Sequence, residues 1–340
     1  MRRAVLLGNP ESKRALYLQR AAEGAGLPLL TMDWKDWKTG IPQDNIFLKI
    51  DPIVWESCSL EELDRLTVEY RGYLQALSYM RREHNITFLN EPEAIELLLD
   101  KRACKNRLLQ EGLSVTELLS EDGKRLMSVG ELLERMEEKR INQVFIKPVR
   151  GSGAAGVSAF RWQPASGRMA LYTCALQSAE YGLVNTKRLR CFTGKEELLP
   201  LLKCILALDC IVEKWYAKAV YQNFSYDIRV VMQDKQMDFI LARLSQGPIT
   251  NLHLNNHPLE MSQLGLPSTV LESIALLCEQ SMECFPGLRS AGIDILLEKG
   301  SLNPRIIEMN AQGDLIYQDI YHENKIYHHQ AQMMKEWLEA

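Results

Sequence analysis

The 340-residue sequence lacks a surplus of charge of either sign: 40 lysines and arginines stand against 44 aspartates and glutamates. A nucleic-acid binder normally carries a basic excess, so that class is excluded. Short basic clusters such as Arg81-Arg82 and Lys187-Arg188 read as solvated faces. Long apolar runs are also missing. The stretch 198–210 is broken by Lys203 and Asp209 and falls short of a membrane span. Near the start, the apolar segment is only about four residues, too short for a signal-peptide core, and is expected to be a first buried strand. None of the eight cysteines forms a C-x-x-C pair, and no histidine cluster has zinc-finger spacing. Structural zinc and disulfides are therefore excluded, and a reducing, cytoplasmic location is expected.

What is present is ordinary globular composition, 46% hydrophobic and 25% charged, which excludes disorder. The length calls for two or three subdomains. No Pro/Gly/Ser-rich linker separates them, so they should be packed together. Expected boundaries are 1–97 for an N-terminal α/β unit, 98–212 for a segment holding a glycine-rich loop, and 213–340 for a C-terminal segment. Ser59 is a good N-cap for a helix carrying Leu63, Leu66, Tyr70, Tyr73, Leu74 and Leu77 on one face. Hairpins are expected over 163–194 and a last helix near 325–338.

Three segments carry chemistry. In the first, Lys147 precedes Gly151, Ser152, Gly153 and Gly156. The glycines satisfy G-x-G-x-x-G, but a strand-like run follows them where the dinucleotide fingerprint needs a helix. No Gly-Lys-Ser/Thr is present, and neither H-R-D nor D-F-G occurs, so P-loop and protein-kinase readings fail. What remains is a strand, a glycine loop and a strand: a flap able to lay backbone N–H groups over phosphates, or a plain hairpin. In the second segment, Asp294 stands in one apolar strand, and Glu308 and Asn310 share a face of another, since side chains alternate with period two. They are either polar strand ends or ligands for a hard cation such as Mg²⁺. A carboxylate in so apolar a strand is costly unless paired or metal-bound. The third, Ile211-Val212-Glu213-Lys214-Trp215-Tyr216, is a buried strand running to a polar edge, which is either a simple strand end or an edge that reads adenine.

Taken in order, these pieces resemble the ATP-grasp superfamily of carboxylate ligases over roughly 97–316. Glu213-Lys214-Trp215 is similar to the adenine hinge of D-alanine–D-alanine ligases. Asp227-Ile228-Arg229, then Arg243, Asn251-Leu252-His253, Asp294 and Glu308-Met309-Asn310-Ala311, resembles the ribosomal-protein glutamate ligase branch; the glutathione synthetases are a further likeness. The resemblance implies an α+β fold that holds a nucleotide between two subdomains. It implies ATP and one or two Mg²⁺ ions (Mn²⁺ as a substitute) as cofactors. Lys101, with Lys105 as a substitute, and Lys147 would hold phosphates, and the 151–156 loop would close over them. Glu213, with main-chain groups of Lys214 and Tyr216, would read adenine. Asp294, Glu308 and Asn310 would bind the metal. Arg243, supported by Arg229, would stabilise the transferred phosphoryl group, with Asn251 and His253 near the acceptor. The implied activity joins a small-molecule or peptide carboxylate to an amine through an acyl phosphate. Phosphoryl transfer to a non-amine acceptor and a decayed nucleotide-binding scaffold are the alternatives. No nucleic-acid or membrane partner is implied, and a homodimer is left open. Two departures stand out. Residues 217–221 hold no carboxylate for a ribose, and Ala-Gln-Gly-Asp follows Asn310 where relatives carry Ser-Pro-Gly.

Overall fold

The computed structural model describes residues 2–42, 45–151, 154–254, 256–313 and 323–340. Three sheets organise them. The first is parallel, with strands β1 (Arg2–Leu7), β2 (Leu29–Met32), β3 (Asn45–Ile50) and β4 (Ile86–Phe88) in the order β2-β1-β3-β4. Helix α1 (Lys13–Ala25) links β1 to β2. Its N-cap Ser12 accepts from the Ala15 amide, and Gly26 closes its C-terminus in the left-handed conformation that glycine adopts without cost. The four-residue α2 (Trp37–Gly40) precedes β3. The long α3 (Leu60–Glu83) starts at the expected cap, with Ser59 accepting from Glu62. Tyr70, Leu74 and Leu77 of α3 are buried in the main core, while Leu60 and Leu63 at its start join the core under the middle sheet. One helix thus ties two subdomains together.

Helices α4 (Pro92–Leu99) and α5 (Lys101–Gln110) follow, with proline in the first turn of α4 and Asp100 capping α5. The sequence over 100–140 reads as helical and broken at Gly112; the break is longer than one residue, since the segment after Gly112 is largely irregular until α6 (Val129–Glu138). The middle sheet is antiparallel: β5 (Gln143–Pro148), β6 (Ser158–Gln163), β7 (Arg168–Ser178), β8 (Gly182–Phe192) and β9 (Cys210–Lys214), in the order β8-β7-β6-β5-β9. Helix α7 (Lys195–Ala207) and α6 cover one face, burying Val144, Ile146, Phe160, Leu198 and Leu202. The third sheet runs β13 (His257–Leu259), β12 (Gln236–Ser245), β11 (Phe224–Gln233), β14 (Ser290–Leu297), β15 (Pro304–Asn310), with the short β10 (Val220–Tyr221) pairing β11. Helix α8 (Ser268–Glu283) packs behind it.

Alternation does the positioning in this third sheet. Ile228 and Val230 of β11, Ala242 and Leu244 of β12, and Ile293 and Ile295 of β14 enter the core. The residues between them face the other way. The last helix, α9 (Lys325–Glu339), returns to the first sheet, where Tyr327, Ala331 and Met334 pack on Leu18 and Ala22 of α1. No disulfide forms; all eight cysteines are free thiols. No helix of the described residues is long and apolar enough to cross a membrane.

Candidate active site

A cleft of about 660 Å³, including its open mouth, is lined by residues of both the middle and the third sheets. On the middle-sheet wall, Val144 and Ile146 go into the core, so Phe145 and Lys147 turn towards the cleft. Antiparallel pairing sets Glu213 of β9 opposite Phe145. Glu213 is 1% exposed and fully engaged. Its Oε2 accepts from Lys147 Nζ at 2.7 Å and from Thr116 Oγ1 at 2.8 Å, and its Oε1 accepts from Lys105 Nζ. Burial alone would raise the Glu213 pKa, but the two lysines reverse this and hold it at about 2. Burial likewise lowers Lys105 to about 8, against the opposing pull of Glu213.

The sequence left Glu213 as an adenine reader; the structure places it as the shared counter-ion of two buried lysines. The Lys214 amide is also taken, donating to the Glu117 carbonyl at 2.8 Å. Lys214 Nζ lies 5.0 Å above the Tyr216 ring, and both residues line the cleft. Lys105, ranked behind Lys101 on sequence, shares Glu213 with Lys147. Lys101 is not among the cleft's lining residues; it lines a small adjoining pocket with Lys105, Glu213 and Glu308, donating to the Gly151 carbonyl at 2.6 Å, with Glu308 at 3.3 Å.

On the opposite wall, register gathers charges that are far apart in sequence. Arg229 pairs with Asp294, and Asp294 with Glu308, across three neighbouring strands, while Asp227 pairs with Arg243. Arg229 Nε lies 2.5 Å from Asp294 Oδ1, and Arg243 Nη2 lies 3.1 Å from Asp294 Oδ2. Arg243 Nε donates to Asp227 Oδ1 at 2.7 Å. Burial would raise the Asp227 pKa, but Arg243 and Lys218 bring it down to about 2; burial would lower the Arg243 pKa, but Asp227 and Asp294 push it up.

Lys218 is the residue that sequence reasoning missed. It lies in the segment noted only for lacking a carboxylate, yet its Nζ donates to Thr250 Oγ1 at 2.8 Å and stands 3.7 Å from Asp227 Oδ2. Burial lowers its pKa, with Asp227 opposing. No local pattern marks it; only the sheet register brings Thr250 and Asp227 to it.

Among the described residues no three His, Cys, Asp or Glu side chains group closely enough to hold a metal. Asp294 and Glu308, directly opposed, and Asn310 two residues further along the same strand offer hard oxygen donors. Such donors are the kind a Mg²⁺ ion takes alongside phosphate oxygens or water; here Asp294 is held by Arg229 and Arg243, and Glu308 faces Lys101.

Asn251 lines the cleft. His253 lies in the turn Leu252–Leu254, and its side chain is outside the described residues, as are Ser152 and Gly153. Gly156, with φ of 70°, has no room for a side chain: a Cβ there would lie 2.8 Å from Pro148 Cγ.

No family model and no curated protein sequence matches the chain. Solved structures do. The macrocyclase MdnC, bound with precursor peptide MdnA from Microcystis aeruginosa MRC, is similar with a TM-score of 0.63 at 13% identity, covering 99% of this chain and 100% of that one. The ATP-grasp ligase PsnB, complexed with minimal precursor, Mg and ADP, gives 0.61 at 14% identity over 99% and 98% of the two chains. The D-alanine–D-alanine ligase of Bacillus anthracis gives 0.56 at 12% over 98% and 95%. The chain has the α+β fold of the ATP-grasp ligases. The expected fold class therefore holds over nearly the whole length.

Proposed function

We propose that the protein is an ATP- and Mg²⁺-dependent ligase that joins a carboxylate to an amine on an amino acid or peptide. The carrying observation is the pair of opposed walls: Lys147 on one sheet, its counter-ion Glu213 shared with Lys105 of α5, and Arg243, Arg229, Asp294 and Glu308 in register on the other. Transfer of a phosphoryl group needs positioning and charge neutralisation more than covalent help, which is what such walls supply. The precursor peptides held by PsnB and MdnC support a peptide substrate.

In this reading Lys147 and Lys101 hold nucleotide phosphates. The 151–156 loop covers them and keeps water from the activated carboxyl group. The Lys214 carbonyl and the Tyr216 amide read adenine. Asp294, Glu308 and Asn310 hold Mg²⁺, which when bound neutralises phosphate charge. The substrate carboxylate oxygen bonds to the γ-phosphorus as the bond to the β-bridging oxygen breaks, releasing ADP. Arg243, fixed by Asp227, neutralises the transferred group. The amine then bonds to the acyl carbon and loses a proton, and phosphate leaves. Asn251 and His253 lie on the acceptor side.

The test uses carboxylate substrates labelled with ¹⁸O, offered with amines or peptides, ATP and Mg²⁺. Released phosphate carrying one ¹⁸O, together with a condensed product, is expected. Phosphate retained on an uncondensed product would instead favour a phosphotransferase. Glu308→Gln is expected to abolish turnover while leaving the unfolding midpoint near that of the wild type; a fully active variant would contradict the site.

A further inference from the structure

Four residues after Lys101, on the same face of α5, stands a second lysine that the ligase reading leaves without a task. Lys105 is 4% exposed and is not among the cleft's lining residues. All three of its N–H donors are spent inside the protein: on Glu213 Oε1, on Thr116 Oγ1, and on the Thr116 carbonyl at 3.5 Å. No donor is left for a ligand, so Lys105 acts on the cleft only through Glu213.

The two oxygens of Glu213 are divided unequally. Oε1 belongs to Lys105, while Oε2 is shared by Lys147 at 2.7 Å and the Thr116 hydroxyl at 2.8 Å. Thr116 closes the set from behind, accepting from Lys105 and donating to Glu213. Lys147 is the open member. Its Nζ makes one hydrogen bond among the described residues, to Glu213, and its side chain lines the cleft. Two of its N–H groups remain for a ligand. Charge points the same way. One carboxylate against two ammonium groups leaves one positive charge, and burial limits its screening. Burial lowers the Lys105 pKa to about 8, so the ammonium form still prevails at pH 7. The neighbouring Lys101 and Glu308 cancel each other. A buried cation without its own anion is costly, and an anion entering the cleft removes that cost.

We propose that Lys105 is a positioning residue for phosphate binding: by engaging Glu213 from behind, it leaves Lys147 its charge and its unspent N–H groups for the phosphates of a nucleotide. The inference rests on the reading of the cleft as a nucleotide site. Without Lys105, Glu213 answers Lys147 alone, and the pair presents no net charge to a phosphate. The loss falls on the phosphate groups and spares the base and the sugar.

The test is titration calorimetry on the full chain at pH 7 with Mg²⁺, using ATP, ADP and AMP, with adenosine as the uncharged control. Lys105→Met and Lys105→Gln are each expected to weaken ATP binding about tenfold, the order expected of one unit charge about 10 Å away at an effective dielectric constant of about 20. The loss should shrink from ATP to ADP to AMP, and adenosine should bind as it does to the wild type. Lys105→Arg keeps the charge and should retain most of the ATP affinity. A merely structural lysine would instead move all four affinities together or none of them. Should Lys105→Met fail to fold by circular dichroism, Lys105→Gln, which keeps a donor for Glu213, decides. Unchanged ATP affinity in the folded neutral variants, or an equal loss for adenosine, would overturn the proposal. The wild type decides the ligase reading separately: if it binds ATP and the neutral variants bind equally well, only the role of Lys105 falls, whereas no ATP binding by the wild type would overturn both.

Discussion

Glu213→Gln should destabilise the protein by about 3 kcal/mol at pH 7. The carboxylate is buried and holds two buried ammonium groups, from Lys105 and Lys147. Its pKa falls from 4.5 to about 2, and at about 1.4 kcal/mol per unit this comes to roughly 3 kcal/mol. Removing one partner of a buried ion pair costs about 3–5 kcal/mol, which agrees. Because the folded pKa lies below the unfolded one, this stabilisation is complete above about pH 4.5 and is lost as the pH falls to about 2. The wild-type and variant stabilities should therefore converge in that window. Alkaline pH offers a second check. Lys105, at about 8 in the native protein, sheds its proton more easily without Glu213, so the gap should narrow between pH 7 and 9. Urea unfolding followed by circular dichroism at pH 3, 7 and 9 measures all three. A variant within about 0.5 kcal/mol of wild type at pH 7, an amount typical of surface substitutions, would refute the reasoning, as would a gap that widens towards pH 9.

Other consequences follow from the opposite wall and the core. Asp227→Asn removes the carboxylate shared by Arg243 and Lys218, and should cost about 3 kcal/mol in urea unfolding at pH 7, with the loss fading from about pH 4 to pH 2. Gly292→Ala would place a Cβ 1.8 Å from the Gly313 carbonyl oxygen and 2.5 Å from Arg229 Nη1. The loop must move, and turnover should fall while far-UV circular dichroism is retained. Leu74→Ala, in a fully buried position of α3, should lower stability by about 2–5 kcal/mol in urea unfolding without selectively impairing nucleotide binding.

Much of the fold was legible because local signals agreed with tertiary packing. Ser59 marks a helix start through its own side-chain chemistry, and the apolar residues around Asp294 and Glu308 mark the strands that carry them. That the candidate residues share one site was expected only from the ATP-grasp resemblance, not from any local pattern. The pairings were not legible. Glu213 faces Lys105 and Thr116 because α5 and an irregular segment converge behind β9, and Lys218 meets Thr250 across a loop. The return of α9 to the first sheet is likewise a contact between elements about 300 residues apart, which no periodicity encodes.

Nucleotide binding by the intact protein tests the central claim most directly. Thermal unfolding would be followed with ATP, ADP and GTP, each with and without Mg²⁺. A ligand that binds only the native state stabilises it by about 2.7 kcal/mol at a hundred times its Kd. The account predicts a rise in Tm with adenine nucleotides that exceeds the rise with GTP and is enlarged by Mg²⁺. No rise at millimolar ATP, with or without Mg²⁺, would contradict it.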